Sequence, residues 1–369
     1  MKSLLIKNYK NIQNLTINSL ADVNLIVGRN NVGKSTLLEA ISFFASNGDI
    51  NWIKQILEFR GESVNFRLNE ENAAEKELDR FLTLFTGRKI DFSDNKPIII
   101  GEDDKNFISM RIVRFEENII KDENGNERKT RTVIQDKEDY TKFESIYSGI
   151  EIETLSRKIL IPLIGNRYSS SSFPSDKKID FEYVKTSDFR NEKNANLWDR
   201  ISLFEEESYV IEALRIIEPR IAKINFLKED NNSRNRNEEE RVPFVTLNND
   251  DKRYRLSSMG VGVNRILTII LSLVNCKNGI LLLDEFENGL HYSVQTDLWK
   301  IIFMLSKKLN LQIFVTSHSN DCINSFSEAS LENRGKLIRL ENLNGKISEV
   351  SYDDKDDIKF SINQNIEIR

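Results

Sequence analysis

Cysteine and histidine are both scarce in this chain of 369 residues. Each occurs only twice, and the two cysteines, Cys276 and Cys322, stand apart from each other with no CxxC pattern and no histidine-rich neighbourhood. This scarcity argues against a disulfide framework and against a zinc site. We therefore expect the protein to work in a reducing compartment, the cytoplasm.

Long apolar runs are missing as well. No stretch reaches the roughly 18 consecutive apolar residues that a membrane-spanning helix needs. The apolar start at Leu4 is interrupted by Lys7 and has no small-residue cleavage site after it. We expect neither secretion nor a membrane contact, and the absence of a sustained heptad pattern excludes a long coiled coil.

The chain also lacks an excess of positive charge. Its net charge is −5 at pH 7 and its isoelectric point is about 5.5, so it has no overall attraction to nucleic acid or to an anionic surface. DNA binding stays open, because a local basic patch would suffice. A composition of 39% hydrophobic and 30% charged residues is that of an ordinary globular protein of one or two domains.

Residues 28–36 carry the most specific motif of the sequence, a G-x-x-x-x-G-K-[ST] loop. An apolar run precedes it and a helix-like segment follows, which is the context that a phosphate-binding loop requires. Glycines let successive N–H groups converge on a phosphate, Lys34 adds a charge near the β- and γ-phosphates, and Ser35 supplies a hydroxyl ligand for Mg²⁺. The motif predicts ATP and Mg²⁺ as cofactors. The predicted ATP-binding residues of this loop are Gly28, Arg29, Asn30, Asn31, Val32, Gly33, Lys34, Ser35 and Thr36.

Two carboxylates follow the apolar run at 280–283. Such a run is typical of a buried parallel strand whose carboxyl end opens onto a ligand crevice. Asp284 is then placed to hold Mg²⁺ together with Ser35, usually through water, and Glu285 to orient or deprotonate the attacking water. Alone, the pair could be an ordinary acidic strand end, but the phosphate-binding loop in the same chain favours the catalytic interpretation.

A small-residue segment at 256–264 precedes an apolar helix that continues to Val274. Serine hydroxyls and free N–H groups at a helix start can bind an anion. Because the chain already has one phosphate cradle, a second one suggests that this surface meets the γ-phosphate held by another subunit. A plain helix N-cap is the simpler alternative.

Both histidines lie near these motifs, at positions 291 and 318. His318 directly follows the predicted strand 311–316, where it can donate a hydrogen bond to the γ-phosphate or to the attacking water. We interpret His291 as a surface or packed residue. The predicted catalytic residues are therefore Lys34, Glu285 and His318.

The remainder of the chain is less regular. The pattern predicts helix over residues 49–86. It predicts antiparallel strands over 97–115 and 119–135, with a hairpin tip at 124–126. The apolar run at 159–164 is typical of a buried strand. Apolar spacing predicts helix from 197 to 226, as an arm, a dimer surface or, more simply, a layer packed on its own domain. The polar run at 228–241 is typical of a solvated loop.

In order along the chain, the segments at 28–36, 256–262, 281–285, 287–291 and 316–319 resemble the Walker A, signature, Walker B, D-loop and switch-histidine motifs of ABC-type ATPases. More closely, the chain resembles the SMC/RecF-like branch, and within it the stand-alone AAA family ATPases related to the OLD group. The phrases at 6–12, 284–291 and 316–319 and the ending at 367–369 carry this closer resemblance. The match covers about the first 45 residues and roughly 240–350.

The resemblance implies an α/β fold, a P-loop NTPase of the ABC-ATPase head type with an inserted β-rich and helical region. We place the head at 1–48 and 240–369, with a strand near 158–165, and the insertion at 49–239. Such proteins bind ATP between two heads, which implies a homodimer or a higher even oligomer. Ser258 and Gly260 would then contact the nucleotide of the other subunit, although the segment Ser257–Gly260 reads Ser-Ser-Met-Gly and departs from Leu-Ser-Gly-Gly. Neither Gln55 nor Gln135 can be assigned as the Q-loop glutamine.

OLD nucleases also carry a C-terminal Toprim domain, and the acidic run at 353–357 is too small to represent it. The resemblance therefore implies a separate effector, a nuclease or a toxin, in an anti-phage or DNA-maintenance system. Two alternatives stay open. One is a RecF-like DNA repair ATPase, and the other is a scaffold that ATP clamps together with little turnover.

Overall fold

The computed structural model describes residues 1–62, 73–90, 95–121, 127–134, 145–163, 178–186, 190–228, 240–250, 252–330 and 333–352. Its strands are β1 (Leu4–Tyr9), β2 (Ile12–Ile17), β3 (Val23–Val27), β4 (Ile98–Gly101), β5 (Phe107–Lys121), β6 (Glu127–Val133), β7 (Ile146–Glu153), β8 (Lys158–Pro162), β9 (Phe181–Val184), β10 (Ile221–Lys228), β11 (Arg241–Leu247), β12 (Arg253–Arg255), β13 (Ile280–Leu283), β14 (Gln312–Thr316), β15 (Gly335–Leu343) and β16 (Lys346–Tyr352). Its α-helices are α1 (Lys34–Ala45), α2 (Ile50–Phe59), α3 (Ala73–Leu82), α4 (Asn191–Asp199), α5 (Glu206–Leu214), α6 (Val261–Val274), α7 (Tyr292–Leu309) and α8 (Asn320–Ala329).

The chain divides into two compact units by its internal contacts. The first comprises Met1–Ser19, Glu39–Lys178 and Asn342–Ser348, and the second Leu20–Leu38, Ile179–Glu341 and Glu349–Arg369. These limits differ from the predicted head at 1–48 and 240–369 and the predicted insertion at 49–239. The difference arises because β9 pairs with β13, which draws part of the predicted insertion into the second unit.

A largely parallel sheet organises the second unit. Its strand order is β16-β15-β3-β14-β13-β9, and each neighbouring pair from β15 to β9 is parallel. Every residue of β3 and of β13 is buried. Consecutive apolar residues form such strands because helices cover both faces of a parallel sheet. The α/β fold expected from the sequence is thus confirmed.

Aromatic packing connects the helices of this unit to its sheet. The Trp299 ring of α7 stacks on Phe286 at 4.2 Å between ring centroids and meets Phe326 of α8 edge-on at 5.0 Å. All three rings are buried in one continuous hydrophobic core. Because β3, β13 and β14 are parallel neighbours, the segments that follow them emerge at the same edge of the sheet. That edge carries the phosphate-binding loop, Asp284 and His318.

An antiparallel sheet forms the body of the first unit. Its order is β2-β1-β4-β5-β7-β8, and β6 pairs with β5. The buried carboxylate of Glu39 joins two cations of this unit, with Lys10 Nζ at 2.8 Å and Arg60 Nε at 2.7 Å. The predicted antiparallel pairing of the β5 region is confirmed, whereas its predicted tip at 124–126 lies outside the described residues.

Of two predictions from the apolar pattern, one is confirmed in part and one is wrong. A strand does form near 158–165, as β8, but it pairs antiparallel with β7 and only Ile161 of it is buried. The single helix predicted over 197–226 is wrong: α4 ends at Asp199, α5 spans Glu206–Leu214, and β10 begins at Ile221. A bulge between Ile221 and Lys223 shifts the alternation of β10, so its buried residues fall at 221, 224 and 226. The step of three residues from 221 to 224 imitates the period of a helix, whereas the step of two from 224 to 226 is that of a strand.

Some predictions concern residues that the structure does not describe. They are the acidic run at 353–357, Gln135 and most of the polar run at 228–241. Gln55 lies on an exposed part of α2. In the described part of the chain, no helix combines the length and the apolar character that crossing a membrane requires.

Candidate active site

The phosphate-binding loop connects β3 to α1. Gly28 and Gly33 have positive φ angles of 148° and 102°, and Asn31 lies in the left-handed region at 63°. A Cβ atom on Gly28 would stand 2.6 Å from the carbonyl oxygen of Leu340 and 2.8 Å from Val32 Cγ1. Glycine is therefore required at this position for both conformation and space. The backbone turns sharply into α1, whose first N–H groups point out of the helix start.

Lys34 is held against the loop that precedes it. Its ammonium donates hydrogen bonds to the carbonyl oxygens of Gly28 at 2.7 Å and Arg29 at 3.0 Å, and only 9% of the residue is exposed. Burial lowers the pKa of Lys34, and the negative charges of Glu287, Asp284 and Glu285 oppose that shift. Three carboxylates therefore act electrostatically on the lysine of the loop.

Asp284 joins the loop to the strand ends. Its Oδ1 accepts hydrogen bonds from Ser35 Oγ at 3.1 Å and from Thr316 Oγ1 at 2.6 Å. The Thr316 hydroxyl in turn accepts the main-chain N–H of Glu285 at 2.9 Å. One network thus connects the phosphate-binding loop, the end of β13 and the end of β14.

Glu285 occupies an unusual backbone conformation, with φ at 50°. A non-glycine residue persists in the left-handed region where its surroundings hold it there. Arg265, which is fully buried on α6, donates to the carbonyl oxygens of Asp284 at 2.8 Å and Glu285 at 3.0 Å, and to that of Lys185 at 3.0 Å. These bonds fix the turn that presents the Glu285 side chain.

His318 pairs with Glu287. Its ring Nδ1 lies 2.8 Å from Glu287 Oε1, and its main-chain N–H donates to the same oxygen at 2.8 Å. The side chain of His318 is 51% exposed, whereas that of Glu287 is 12% exposed. His291 is instead the N-cap of α7, with Nδ1 2.8 Å from Ser293 Oγ.

The predicted signature residues lie at the start of α6. Residues Leu256–Met259 form a short 3₁₀ turn, and Gly260, with φ at 108°, caps the helix. Ser258 is exposed and donates its hydroxyl to the carbonyl oxygen of Arg255 at 2.7 Å. Gly260 is exposed too, and no atom of the described chain would lie within 4 Å of a Cβ there.

Comparison with family models identifies the family of the chain. A family model described as an AAA ATPase domain matches residues 1–323. The chain belongs to this AAA ATPase family. The expectation of a P-loop ATPase is confirmed.

Two curated relatives share sequence with this AAA ATPase. A protein of Helicobacter pylori named "ATP/GTP phosphatase" is 24% identical over 347 residues, which span 88% of this chain and 86% of the relative. An uncharacterized protein of Methanocaldococcus jannaschii is 33% identical over 86 residues, 21% of this chain and 39% of that protein.

Solved structures of SMC heads align with most of the AAA ATPase at low sequence identity. The SMC head bound to the C-winged helix domain of ScpA has a TM-score of 0.47 and 14% identity, covering 95% of this chain and 97% of that one. The SMC head domain from Thermotoga maritima has a TM-score of 0.45 and 12% identity, covering 96% and 99%.

The donor set of the AAA ATPase fits a small divalent cation. Ser35 and Asp284 bring a hydroxyl and a carboxylate within 3.1 Å of each other, and Mg²⁺ prefers oxygen ligands completed by water and phosphate oxygens. A complete protein cage is not present, since the described residues contain no group of three or more His, Cys, Asp or Glu side chains able to hold a metal. Both cysteines are buried and free.

Three residues of the site were not predicted. Thr316 and Glu287 fall inside segments that the sequence analysis singled out, but neither residue had a role assigned to it. Arg265 lies four residues beyond the start of α6. A threonine at the end of a predicted strand, next to the predicted switch histidine, was the signal available for Thr316.

Proposed function

We propose that this AAA ATPase hydrolyses ATP with Mg²⁺ at the edge of its parallel sheet. The observation that carries the proposal is the network at Asp284 Oδ1, where hydroxyls from the phosphate-binding loop and from β14 meet. It brings a phosphate cradle, an oxygen donor set and Glu285 into one place. The name of the Helicobacter pylori relative supports hydrolysis of a nucleoside triphosphate, and it makes GTP a second substrate to assay.

Each residue of this proposed site has a distinct task. The main chain of residues 28–36 cradles the phosphates, and Lys34 neutralises the charge that develops on the transferred group. Ser35 and Asp284 would hold Mg²⁺, which would supply positive charge against the phosphates. Glu285 orients the attacking water and accepts its proton. His318 contacts the γ-phosphate or that water.

We propose further that two copies close around the nucleotides, each with Ser258 and Gly260 toward the phosphate-binding loop of the other. The exposure of both residues at the start of α6 supports this role. A helix start offers N–H groups to an anion. The resulting assembly is a homodimer or a higher even oligomer.

The test is the rate of phosphate release from ATP and from GTP, with Mg²⁺ and with EDTA. Lys34→Ala should abolish nucleotide binding, and Glu285→Gln should bind ATP normally while hydrolysis falls at least about 100-fold. Lys300→Ala, on an exposed part of α7, is the control and should match the wild type. Unchanged ATP affinity in Lys34→Ala would contradict the site assignment.

For the cellular role we propose an ATPase component of an anti-phage or DNA-maintenance system that acts through a separate nuclease or toxin. The sequence resemblance to OLD-related ATPases supports this role. Light scattering with and without ATP, combined with turnover with and without double-stranded DNA, separates it from the alternatives. Turnover that rises with DNA favours a RecF-like repair ATPase. Negligible turnover with an ATP-dependent rise in mass favours a clamped scaffold.

A further inference from the structure

The Glu287 carboxylate makes two hydrogen bonds within the described chain, and both go to His318. Oε1 lies 2.8 Å from the ring Nδ1 of His318 and accepts the main-chain N–H of the same residue at 2.8 Å. The other oxygen, Oε2, is buried and has no hydrogen-bond partner among the described residues. Among the described residues, His318 is thus the hydrogen-bond partner of this carboxylate.

The pairing decides which ring nitrogen of His318 carries a proton. An ionised carboxylate only accepts hydrogen bonds, so Nδ1 must be the donor. In the neutral ring the proton then sits on Nδ1, which leaves Nε2 with its lone pair. Because Oε1 also binds the main-chain N–H of His318, the ring and its backbone are held by the same oxygen. Nε2 is consequently the nitrogen left for a ligand or a water.

The burial of the Glu287 carboxylate costs free energy, which a purely structural role for this residue would not explain. Taking a carboxylate out of water costs free energy unless hydrogen bonds and opposite charges offset it. The side chain is 12% exposed, and one of its oxygens lacks a partner in the described chain. Its negative charge acts on Lys34, where it opposes the effect of burial on the lysine pKa more than Asp284 or Glu285 does. Glu287 therefore belongs electrostatically to the active site.

We propose that Glu287 is a positioning residue that holds the neutral His318 ring in the Nδ1–H form, so that Nε2 accepts a hydrogen bond from the attacking water. This inference rests on the proposed ATPase function and deepens it. Glu285 and His318 would then share the orientation of that water. A neutral His318 in this form cannot donate from Nε2 to the γ-phosphate.

A direct test reads the tautomer by NMR on protein labelled with ¹⁵N-histidine. The chain contains only two histidines, so His291 serves as an internal reference, and a His291→Gln variant assigns the signals. At a pH about two units above the ordinary histidine pKa, His318 should show a protonated Nδ1. In Glu287→Ala it should change toward the Nε2–H form, whereas Glu287→Gln, which keeps an acceptor oxygen, should retain Nδ1–H. A wild-type His318 in the Nε2–H form would overturn the proposal.

Kinetics supply the second test. We expect Glu287→Ala to lower kcat about tenfold or more, to the level of His318→Ala, because a misoriented ring loses its contribution. The double variant should be no slower than His318→Ala alone, since the two residues act as a unit. Affinity for a non-hydrolysable ATP analogue should not weaken, because Glu287→Ala removes a negative charge that acts on Lys34. Asp297→Ala, which removes an exposed carboxylate paired with Lys300 on α7, should match the wild type.

The outcomes separate this inference from the proposed function. Losses that multiply in the double variant, or a weakened ATP analogue affinity in Glu287→Ala, would show that Glu287 acts independently of His318. Hydrolysis that requires Glu285 but is indifferent to His318 would leave the ATPase standing and overturn the positioning role. Absence of hydrolysis in the wild type would remove the proposed function, while the tautomer measurement would still report on the pair.

Discussion

Ser35 donates a hydrogen bond to Asp284 across 3.1 Å, although 249 positions separate the two residues in the chain. The contact forms because β3 and β13 both pair with β14 in parallel, so that their carboxyl ends lie at one edge. Neither residue alone marks a site, since serines at helix starts and acids at strand ends are common. Their contact brings a hydroxyl and a carboxylate together as one set of oxygen donors.

We expect Thr316→Val to impair the site without changing its shape. Thr316 is fully buried, and its hydroxyl donates to Asp284 and accepts the N–H of Glu285. Valine has the same shape but leaves that N–H without its partner, which costs about 2 kcal/mol of unfolding free energy. Hydrolysis should fall about tenfold or more, because the carboxylate of Asp284 loses its fixed orientation.

Two further substitutions check the Thr316 prediction by urea unfolding and phosphate release. Thr316→Ser keeps the hydroxyl and should retain most of the activity. Thr296→Val removes an exposed hydroxyl that bonds Glu328 at 3.2 Å and should leave both measurements unchanged. Equal rates in Thr316→Val and the wild type would show that the network at Asp284 does not matter for hydrolysis.

We expect Arg265→Met to destabilise the protein strongly. The guanidinium bonds three main-chain carbonyl oxygens in the interior, and methionine leaves all three without this donor. The loss should be about 3 kcal/mol or more of unfolding free energy, seen as a lower urea midpoint. Arg265→Lys should recover only part of it, because a single ammonium cannot reproduce the planar fork. Arg220→Ala, an exposed arginine paired with Glu218, should keep the wild-type midpoint.

Gly260→Ala tests the proposed contact between subunits. A methyl group there meets no atom of the described chain within 4 Å, so the cost within one copy is a side chain in a backbone region (φ 108°, ψ 163°) that is essentially confined to glycine, about 1–3 kcal/mol. We expect a folded protein whose mass no longer rises with ATP in light scattering. Gly345→Ala also puts a side chain at positive φ, 84°, with open space around it, and should still assemble. Normal assembly of Gly260→Ala would speak against the signature role.

Gly28→Ala should destroy nucleotide binding by local distortion. The added methyl would lie 2.6 Å from the Leu340 carbonyl oxygen, a contact that only a movement of the loop can relieve. Affinity for an ATP analogue should drop about tenfold or more as the N–H groups diverge. Gly87→Ala, also at positive φ but with nothing nearby, should bind normally. Retained affinity in Gly28→Ala would mean that the loop adapts at little cost.

The sequence was sufficient for those parts of the site that local patterns encode. The phosphate-binding loop combines strand, glycines and helix within a few residues, and the run at 280–283 shows a buried strand through its composition alone. The sequence could not predict the contacts of Thr316, Glu287 and Arg265, because the residues that they contact are distant in the chain. Their roles depend on which strands and helices become neighbours, and the chain order of motifs does not give that.

The errors of the fold prediction have specific physical causes. The bulge in β10 puts three residues between its first two buried positions, 221 and 224, so that this step continues the helical spacing of the segment before it. The apolar run of β8 correctly indicated a strand, but only Ile161 of it is buried. The composition of a short apolar strand does not give its partner, β7 here, or the depth at which it lies.

The hydrogen bonds from Lys34 to the carbonyl oxygens of Gly28 and Arg29 have a consequence for affinity. These bonds connect the end of the loop to its beginning, so hydrogen bonds within the chain hold the loop in its curved conformation. Under the proposed function, a phosphate meets a loop that is already curved, so little conformational entropy is lost when it binds. Triphosphate and diphosphate should accordingly bind the same rigid cradle, and discrimination between them falls to the groups at the ends of β13 and β14.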